Sequence, residues 1–278
     1  MPTTGPQYVI GDVQGCYDEF MLLNKRLPPN VDIILSGDIV NRGNKSLQML
    51  KWAESHNAKT VIGNHDIHLI AAASGIRKQK STDTIGEILA SDNKEILIDW
   101  LRFQPLVRFI KSEFTESLIV HAGVLPSWTL EFILDLASEI ECKLQGKNYE
   151  KFLRRVYEKC PKFWTNNLKK MDVLVFGMNV LTRLRYCTLA GDPNYKFDDH
   201  PSNAPPSLLP WFQMQDRQTS NVQIVAGHWS TLGLYIDNNV AMIDTGAVYG
   251  GQLTALLLSK SANAKSIIQV PCKQYSFV

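Results

Sequence analysis

The 278-residue chain contains no run of 18 consecutive apolar residues, the length at which a helix can cross a bilayer. Its opening residues, MPTTGPQYVIGD, carry neither a basic n-region nor the long apolar core of a secretion signal. These two absences predict a cytoplasmic protein without a membrane partner. Cysteine is scarce: Cys16, Cys142, Cys160, Cys187 and Cys272 are odd in number and form no CxxC pair, which excludes a disulfide framework or a structural zinc knuckle as the organising feature. Charge of one sign is also lacking. The 29 Lys and Arg nearly balance the 27 Asp and Glu, leaving a net charge of +2, too little for a surface that coats nucleic acid, so DNA is not an expected partner. Neither low-complexity tracts nor long internal repeats are present. With 45% hydrophobic residues, the chain can bury a sizeable core.

What is there is a recurring arrangement of short apolar strands that end in polar residues. VDIILSGDIVNRG, residues 31–43, holds Ile33, Ile34 and Leu35 as a buried strand, after which Gly37 turns the backbone and Asp38 stands at the carboxyl end. Gln7–Ile10 likewise runs into Asp12 and Gln14, and Thr60–Ile62 runs into Asn64 and His65. Asp12, Asp38 and Asn64 are separated by 26 residues each time. A strand, a helix and two short connections fill that interval, so the pattern predicts two successive βαβ crossovers with the polar residues on one sheet edge. Further on, 114–120 reads as a strand delivering His121, and 222–226 as one delivering His228.

Residues 67–105 and 129–168 show helical periodicity. The expected organisation is one domain, 1–278, with helical insertions at about 67–113 and 127–170. From Lys147 to Lys170 there are eight Lys or Arg against two Glu, which marks a cap able to attract a polyanionic substrate as well as a solvated helix face. Val173–Val180 reads as a strand, and extension through 182–185 would put Arg183 and Arg185 on one side. The proline-rich stretch from Asp192 to Trp211 reads as a long loop.

Two carboxylates, an amide oxygen and two imidazoles at strand ends form a mixed oxygen and nitrogen donor set, suited to manganese, cobalt, iron or zinc. If Asp38 bridges, the set suffices for two divalent ions. A pair held roughly 3.5–4 Å apart activates water and neutralises phosphoryl charge.

The five stretches GDVQGC, GDIVNRG, GNHD, HAG and GHW, in this order, resemble the signatures of the calcineurin-like metallophosphoesterases, in the phosphoprotein-phosphatase branch. GNHDIHL, FGMNVLTRLRYC, PWF and IDTGAVYGG are similar to the bacterial symmetrical diadenosine tetraphosphate hydrolases. The resemblance implies an α/β sandwich of two packed mixed sheets flanked by helices, with the insertions as a cap. It further implies hydrolysis of diadenosine tetraphosphate to two ADP by in-line attack of a bridging hydroxide. Carried over by position, Asp12 and Asp38 would hold the first ion, with Gln14 contributing directly or through water, and Asp38, Asn64, His121 and His228 the second. His65 would be the general acid, Arg42, Arg183 and Arg185 would bind phosphates, and Tyr249 or Trp229 would stack on adenine. RNA capped by a dinucleoside polyphosphate presents the same reacting phosphates and is a further substrate the chemistry allows.

Two departures stand out. The broad family has histidine at Gln14, and aspartate at Asn41, where it would orient the catalytic histidine; here the Asn41 amide oxygen would accept from the imidazole, and Asp66 or Asp244 could supply the carboxylate. His68 is expected to pack behind the site, and Cys16 to be a structural thiol. The alternatives are a phosphoprotein phosphatase of the same fold and a dinucleotide-polyphosphate sensor without turnover.

Overall fold

The computed structural model describes residues 6–111, 115–165, 167–259 and 267–277. In chain order, β1 (Gln7–Ile10), α1 (Tyr17–Arg26), β2 (Asp32–Leu35), α2 (Ser46–Ser55) and β3 (Lys59–Thr60) make the two expected crossovers. They are followed by α3 (Asn64–Ala73), α4 (Gly86–Leu89), α5 (Lys94–Arg102), β4 (Val107–Lys111) and β5 (Glu116–Val120). Three cap helices come next: α6 (Leu130–Gln145), α7 (Tyr149–Glu158) and α8 (Lys170–Arg183). The remaining strands are β6 (Tyr186–Thr188), β7 (Pro193–Asn194), β8 (Leu208–Pro210), β9 (Gln223–Ala226), β10 (Tyr235–Asp237), β11 (Val240–Met242), β12 (Gln252–Leu257) and β13 (Ile267–Pro271).

The strands form two five-stranded mixed sheets, ordered β13-β12-β1-β2-β3 and β10-β11-β9-β5-β4. Three neighbouring strands of each run parallel, β1-β2-β3 in one and β5-β9-β11 in the other. Alternation sorts their side chains: Val9 and Ile34 from one sheet pack with Ile119, Val225 and Ala241 from the other, all buried, as the layer between the sheets. Each of the valine and isoleucine side chains contributes about 2 kcal/mol of burial. The other face of β1 and β2, Ile10 and Leu35, joins Phe20 and Leu23 of α1 and Met49 and Leu50 of α2. Pro28 and Pro29 stop α1 where the next strand must begin. Because the parallel strands are aligned, their carboxyl ends open on one edge, and the polar residues of the motifs stand there.

Three local expectations are corrected. Val173–Val180 lies in helix α8, not in a strand. Residues 174 to 182 are all buried, and burial on every side erases the 3.6-residue period that distinguishes a helix from a buried strand. Gly177 permits the approach of α6, since a Cβ there would lie 2.7 Å from Leu136 Cδ2. The stretch after Asp192 is not only loop: β7 and β8 flank β6 in a small third sheet, with Pro193 and Pro210 confined to edge strands, where a missing N–H costs little. The first helical stretch closes at Arg102, and Val107–Lys111 is an edge strand antiparallel to β5. The strand before His121 starts at Glu116; Phe114, where it was expected to begin, is outside the described residues. The two helical groups are joined where Arg102 donates to the Leu144 carbonyl at 2.8 Å and Ser74 meets the Tyr149 hydroxyl at 3.0 Å.

Candidate metal centre and its pocket

Asp38 follows Gly37 in a left-handed turn (φ 47° and 94°). That turn directs its carboxylate toward His121, whose Nε2 lies 3.3 Å from Asp38 Oδ2. Its Oδ1 accepts the backbone N–H of His65 at 2.7 Å. Room for this carboxylate depends on Gly63, where a Cβ would come 2.1 Å from Asp38 Oδ1. Asp12, from the same sheet as Asp38, is held by residues of the other one: both its oxygens lie 3.1 Å from the His228 backbone N–H, and Gly227 leaves the space a Cβ would fill at 1.9 Å. Asp38, His121 and His228 each offer a donor atom within 4.8 Å of one another. Asn64 joins them, its amide oxygen 3.1 Å from His121 Nε2 and 2.8 Å from His228 Nδ1. Gln14 is buried, and its backbone N–H donates to the Asp38 carbonyl at 2.8 Å. Gln14, Asp38, Asn41, Arg42 and His228 all hold positive φ, a concentration of backbone cost at one place that marks a functional site.

The donor chemistry fits cations. With its amide oxygen inward, Asn64 faces the ring nitrogens of His121 and His228, an arrangement that a positive ion among them resolves when both rings are neutral. The alternative turns the amide so that its nitrogen donates to His228 Nδ1, His121 Nε2 and the Thr182 carbonyl. His121 Nδ1 lies 3.0 Å from the Ser36 carbonyl; donation there leaves Nε2 directed at Asp38, the second-sphere arrangement that orients ligand histidines. Asp12, Asp38 and Asp244 are all buried. Burial first, then the charge of Asp244, pushes Asp12 well above the usual carboxylate range. Burial also raises Asp244, to about 6, although the Gly246 N–H opposes it. Asp38 goes the other way: burial opposes ionisation, but His121 and His65 draw it down to about 2. His228 is depressed by burial and by Arg185, so its neutral, metal-competent form prevails.

His65 stands in the first turn of α3, its Nε2 4.0 Å from Asp38 Oδ2. Its partner differs from expectation. The Asn41 oxygen is taken by the backbone N–H groups of Arg42 and Thr84, both at 2.9 Å. The amide nitrogen therefore faces His65 Nδ1 at 2.9 Å and Asp83 Oδ1 at 3.1 Å. Neither Asp66 nor Asp244 takes the carboxylate's place beside His65. Asp66 instead accepts three backbone N–H groups, those of Asp38, Ile39 and Gly63, and Asp244 accepts that of Gly246. Asp83 also pairs with His68 Nε2 at 2.7 Å and accepts the Lys80 N–H, which places His68 behind the site. Burial of His65, only partly offset by Asp38 and reinforced by Arg42, lowers it to about 4.

A cavity of about 540 Å³ opens over His65 and Asn64. Arg42, Arg77, Lys80 and Arg183 line it as cations, with Tyr157 and Tyr195 as aromatic walls. Arg77 lies over the Tyr157 ring, 5.0 Å from its centroid. Lys151, Arg154 and Arg155 line a separate groove with Lys169 and Asp172, so the lopsided charge of α7 does not face this cavity. Arg183 and Arg185 also part company: Arg183 lines the cavity, whereas Arg185 donates to the His228 carbonyl at 3.0 Å and supports that strained residue. Tyr249 is partly buried, with Arg42, Asp244, Asp38 and Asp12 all influencing its phenol after burial. Trp229 is 1% exposed and edge-on to Tyr186, so it is core. Cys16 is buried, and burial raises its thiol, which makes it an inert packing residue. The sequence reading missed Asp83, Arg77, Lys80, Tyr157 and Tyr195 as site residues; the basic run at 77–80 was the one available signal.

A pair of mixed sheets whose parallel strands end in buried Asp and His side chains, joined by a half-buried Asn, beneath a cationic pocket defines a phosphoesterase fold. The family model for calcineurin-like phosphoesterases matches residues 6–250, and the chain belongs to that family. It is 40% identical over 273 residues to a symmetrical bis(5'-nucleosyl)-tetraphosphatase of Chromobacterium violaceum, covering 96% of each chain. A protein of the same name from Burkholderia thailandensis is 39% identical over 276 residues, with 98% and 96% covered. Among solved structures, a diadenosine tetraphosphatase superposes with a TM-score of 0.63 at 17% identity, over 98% of this chain and 96% of that one. A yeast serine/threonine phosphatase gives 0.52 at 15% identity, over 98% and 80%. These two likenesses concern the fold.

Proposed function

We propose that the chain hydrolyses diadenosine tetraphosphate with one water to two molecules of ADP, by attack on an inner phosphorus. The observation that carries this reading is the convergence of Asp38, Asn64, His121 and His228 beneath a pocket whose cations are Arg42, Arg77, Lys80 and Arg183. The names of the full-length relatives supply the substrate. Asp12, Asp38 and Gln14 would hold one divalent cation, of the manganese, cobalt, iron or zinc type, and Asp38, Asn64, His121 and His228 another. Bound cations supply an activated water at neutral pH and neutralise phosphoryl charge.

The chain's own groups do the rest. Arg42 and Arg183 grip phosphate oxygens with guanidinium forks. Arg77 and Lys80, lining the same pocket, take the flanking phosphates, and this hold centres the tetraphosphate over the ligand cluster. His65 directs its Nε2 toward the leaving oxygen. Tyr157 and Tyr195 offer faces for an adenosine. A phosphoprotein phosphatase needs an open groove; here α7 and the connection around Lys80 wall the pocket. RNA capped by a dinucleoside polyphosphate remains a compatible substrate, since the reacting phosphates are shared. Five unpaired cysteines support placement in a reducing compartment, the cytoplasm.

Incubation with diadenosine tetraphosphate and a panel of Mn2+, Co2+, Mg2+ and Zn2+, followed by chromatography, tests the reading. ADP as sole product is expected. ATP plus AMP would overturn the symmetric register, and no product with any metal would overturn turnover itself.

A further inference from the structure

We infer that Arg217 anchors a second binding site, distinct from the metal centre, for a small molecule that carries one oxyanion, a carboxylate or a phosphate monoester. The inference does not depend on the reaction proposed above.

Arg217 is 5% exposed, although arginine is almost never buried without a counter-charge. Its Nη2 donates to the Asn238 carbonyl at 2.6 Å, and the guanidinium lies 5.7 Å from the centroid of the Trp211 ring. These two contacts offset part of the cost of burial. Neither involves Nη1, which is buried without a partner. The carboxylates beside these residues in sequence are engaged elsewhere: Asp237 accepts the Asn238 N–H at 2.8 Å, and Asp216 lines a neighbouring cavity of about 780 Å³. Burial pulls the guanidinium below its ordinary value, and the group that opposes this is the Tyr235 phenol, not a carboxylate. An unmatched N–H on a buried cation is costly to retain in a fold. The ligand that matches it is an anion.

The surroundings suit one. Arg217 lines a cavity of about 580 Å³, within the size range of small-molecule sites. Gln213, Gln215, Ser220, Asn238 and Asn239 supply its other polar groups, and Phe212 and Met214 an apolar wall. Among the described residues, none that lines this cavity is a carboxylate or a second cation. The turn behind it is tied down: Asn238 and Asn239 hold positive φ (52° and 58°), and the Asn239 amide donates to the Ser220 carbonyl at 2.9 Å. Gln213 and Gln215 are exposed, and exposed side chains change rotamer within nanoseconds, so an entering anion meets a yielding wall. Nη1 carries two N–H groups, and bonds from a guanidinium to carboxylate or phosphate belong to the strong, charge-assisted class. One cation among neutral amides suits one oxyanion on a small polar body. The four cations of the catalytic cavity suit a chain of phosphates.

The site also stands apart from the chemistry. Residues 217–220 and the turn at 238–239 precede β9 and β11, at the amino ends of parallel strands, whereas His228 follows the carboxyl end of β9. The four residues of β9 span roughly 13 Å between the two.

The test titrates the full chain, 15N-labelled and loaded with Mg2+, with inorganic phosphate, sodium acetate and AMP, each against sodium chloride of equal ionic strength. Amide signals of residues 215–220, 238 and 239 should shift saturably with phosphate or acetate. Saturation by either supports the site, and the ratio of the two dissociation constants says which oxyanion it takes. If the phosphate arrives on a nucleotide, AMP should bind at least tenfold tighter than inorganic phosphate. Arg217→Gln should weaken the binding by tenfold or more. Because that change also removes the bond to the Asn238 carbonyl, Gln215→Glu gives the second reading: it leaves the guanidinium in place, sets a negative charge on the cavity wall, and should weaken the binding severalfold. Shifts confined to the surroundings of Arg42 and His65, shifts no larger than those in chloride, or an unchanged affinity in Gln215→Glu would overturn the inference and leave Arg217 as a pin for the β10–β11 turn.

Discussion

The Asp66 carboxylate accepts the backbone N–H of Asp38 at 2.8 Å, so one acidic side chain fixes the peptide that aims another. The same carboxylate takes the N–H groups of Ile39 at 3.0 Å and Gly63 at 2.9 Å, and its side chain is wholly buried. Truncation to alanine leaves three buried donors unmatched, at about 1–3 kcal/mol each before relaxation. We expect Asp66→Ala to lose roughly 3 kcal/mol or more in urea unfolding and to bind Mn2+ more weakly. A midpoint equal to wild type would show that water replaces the carboxylate at no cost.

The absence of a side chain at Gly227 has a sharper consequence. A Cβ there would stand 1.9 Å from Asp12 Oδ1 and 2.8 Å from Ser36 Oγ, so Gly227→Ala must displace the Asp12 carboxylate. The shift falls on one cation site and spares Asn64 and His121. Metal analysis of the purified variant should find about one ion per chain, against about two in wild type. Two ions retained would remove Asp12 from the ligand set.

Much of this centre was legible in the sequence because parallel strands impose it. Equal 26-residue spacing forces Asp12, Asp38 and Asn64 to one edge, and the motifs at His121 and His228 resemble the rest of the set. What could not be read was contact across insertions. Asp83 lies in a connection without periodicity, and nothing in its neighbours announces that it meets Asn41 and His68. The fold of 170–183 was hidden for the opposite reason, since uniform burial leaves no periodic signal. Local charge misled as well: the basic density of α7 lies away from the cavity, while two cations of the connection between α3 and α4, Arg77 and Lys80, face it.

That division of charge is testable. Arg77 and Lys80 line the His65 cavity, and Lys151, Arg154 and Arg155 line another. A charge-assisted contact to phosphate contributes about 1.5–3 kcal/mol, and 1.4 kcal/mol is about tenfold in binding. Arg77→Glu with Lys80→Glu should raise KM for diadenosine tetraphosphate by at least about tenfold. Reversing Lys151, Arg154 and Arg155 to Glu should leave KM within about twofold. Steady-state kinetics at fixed ionic strength decides, and the opposite ranking would return the phosphate hold to α7.

Cation uptake should carry a pH signature set by His121. Burial alone would lower this imidazole, but Asp38 and Asp12 overcome that and hold it at about 10 in the metal-free protein. Its folded value thus lies above the ordinary 6.5. In the metal-free protein the charged His121 stabilises the fold fully below pH 6.5, and that contribution is lost as pH rises through about 10. A divalent cation needs the Nε2 lone pair, so binding must expel the proton. Mn2+ affinity should therefore rise with pH between 6.5 and 9, by up to about tenfold per unit, with close to one proton released from this group. Calorimetric titration in buffers of different ionisation enthalpy counts that proton. Thermal unfolding completes the test: the metal-free protein should lose stability across this range, while the loaded protein, its His121 already neutral, should not. An affinity independent of pH would show that His121 is neutral before the metal arrives, and that Asp38 and Asp12 do not share its charge.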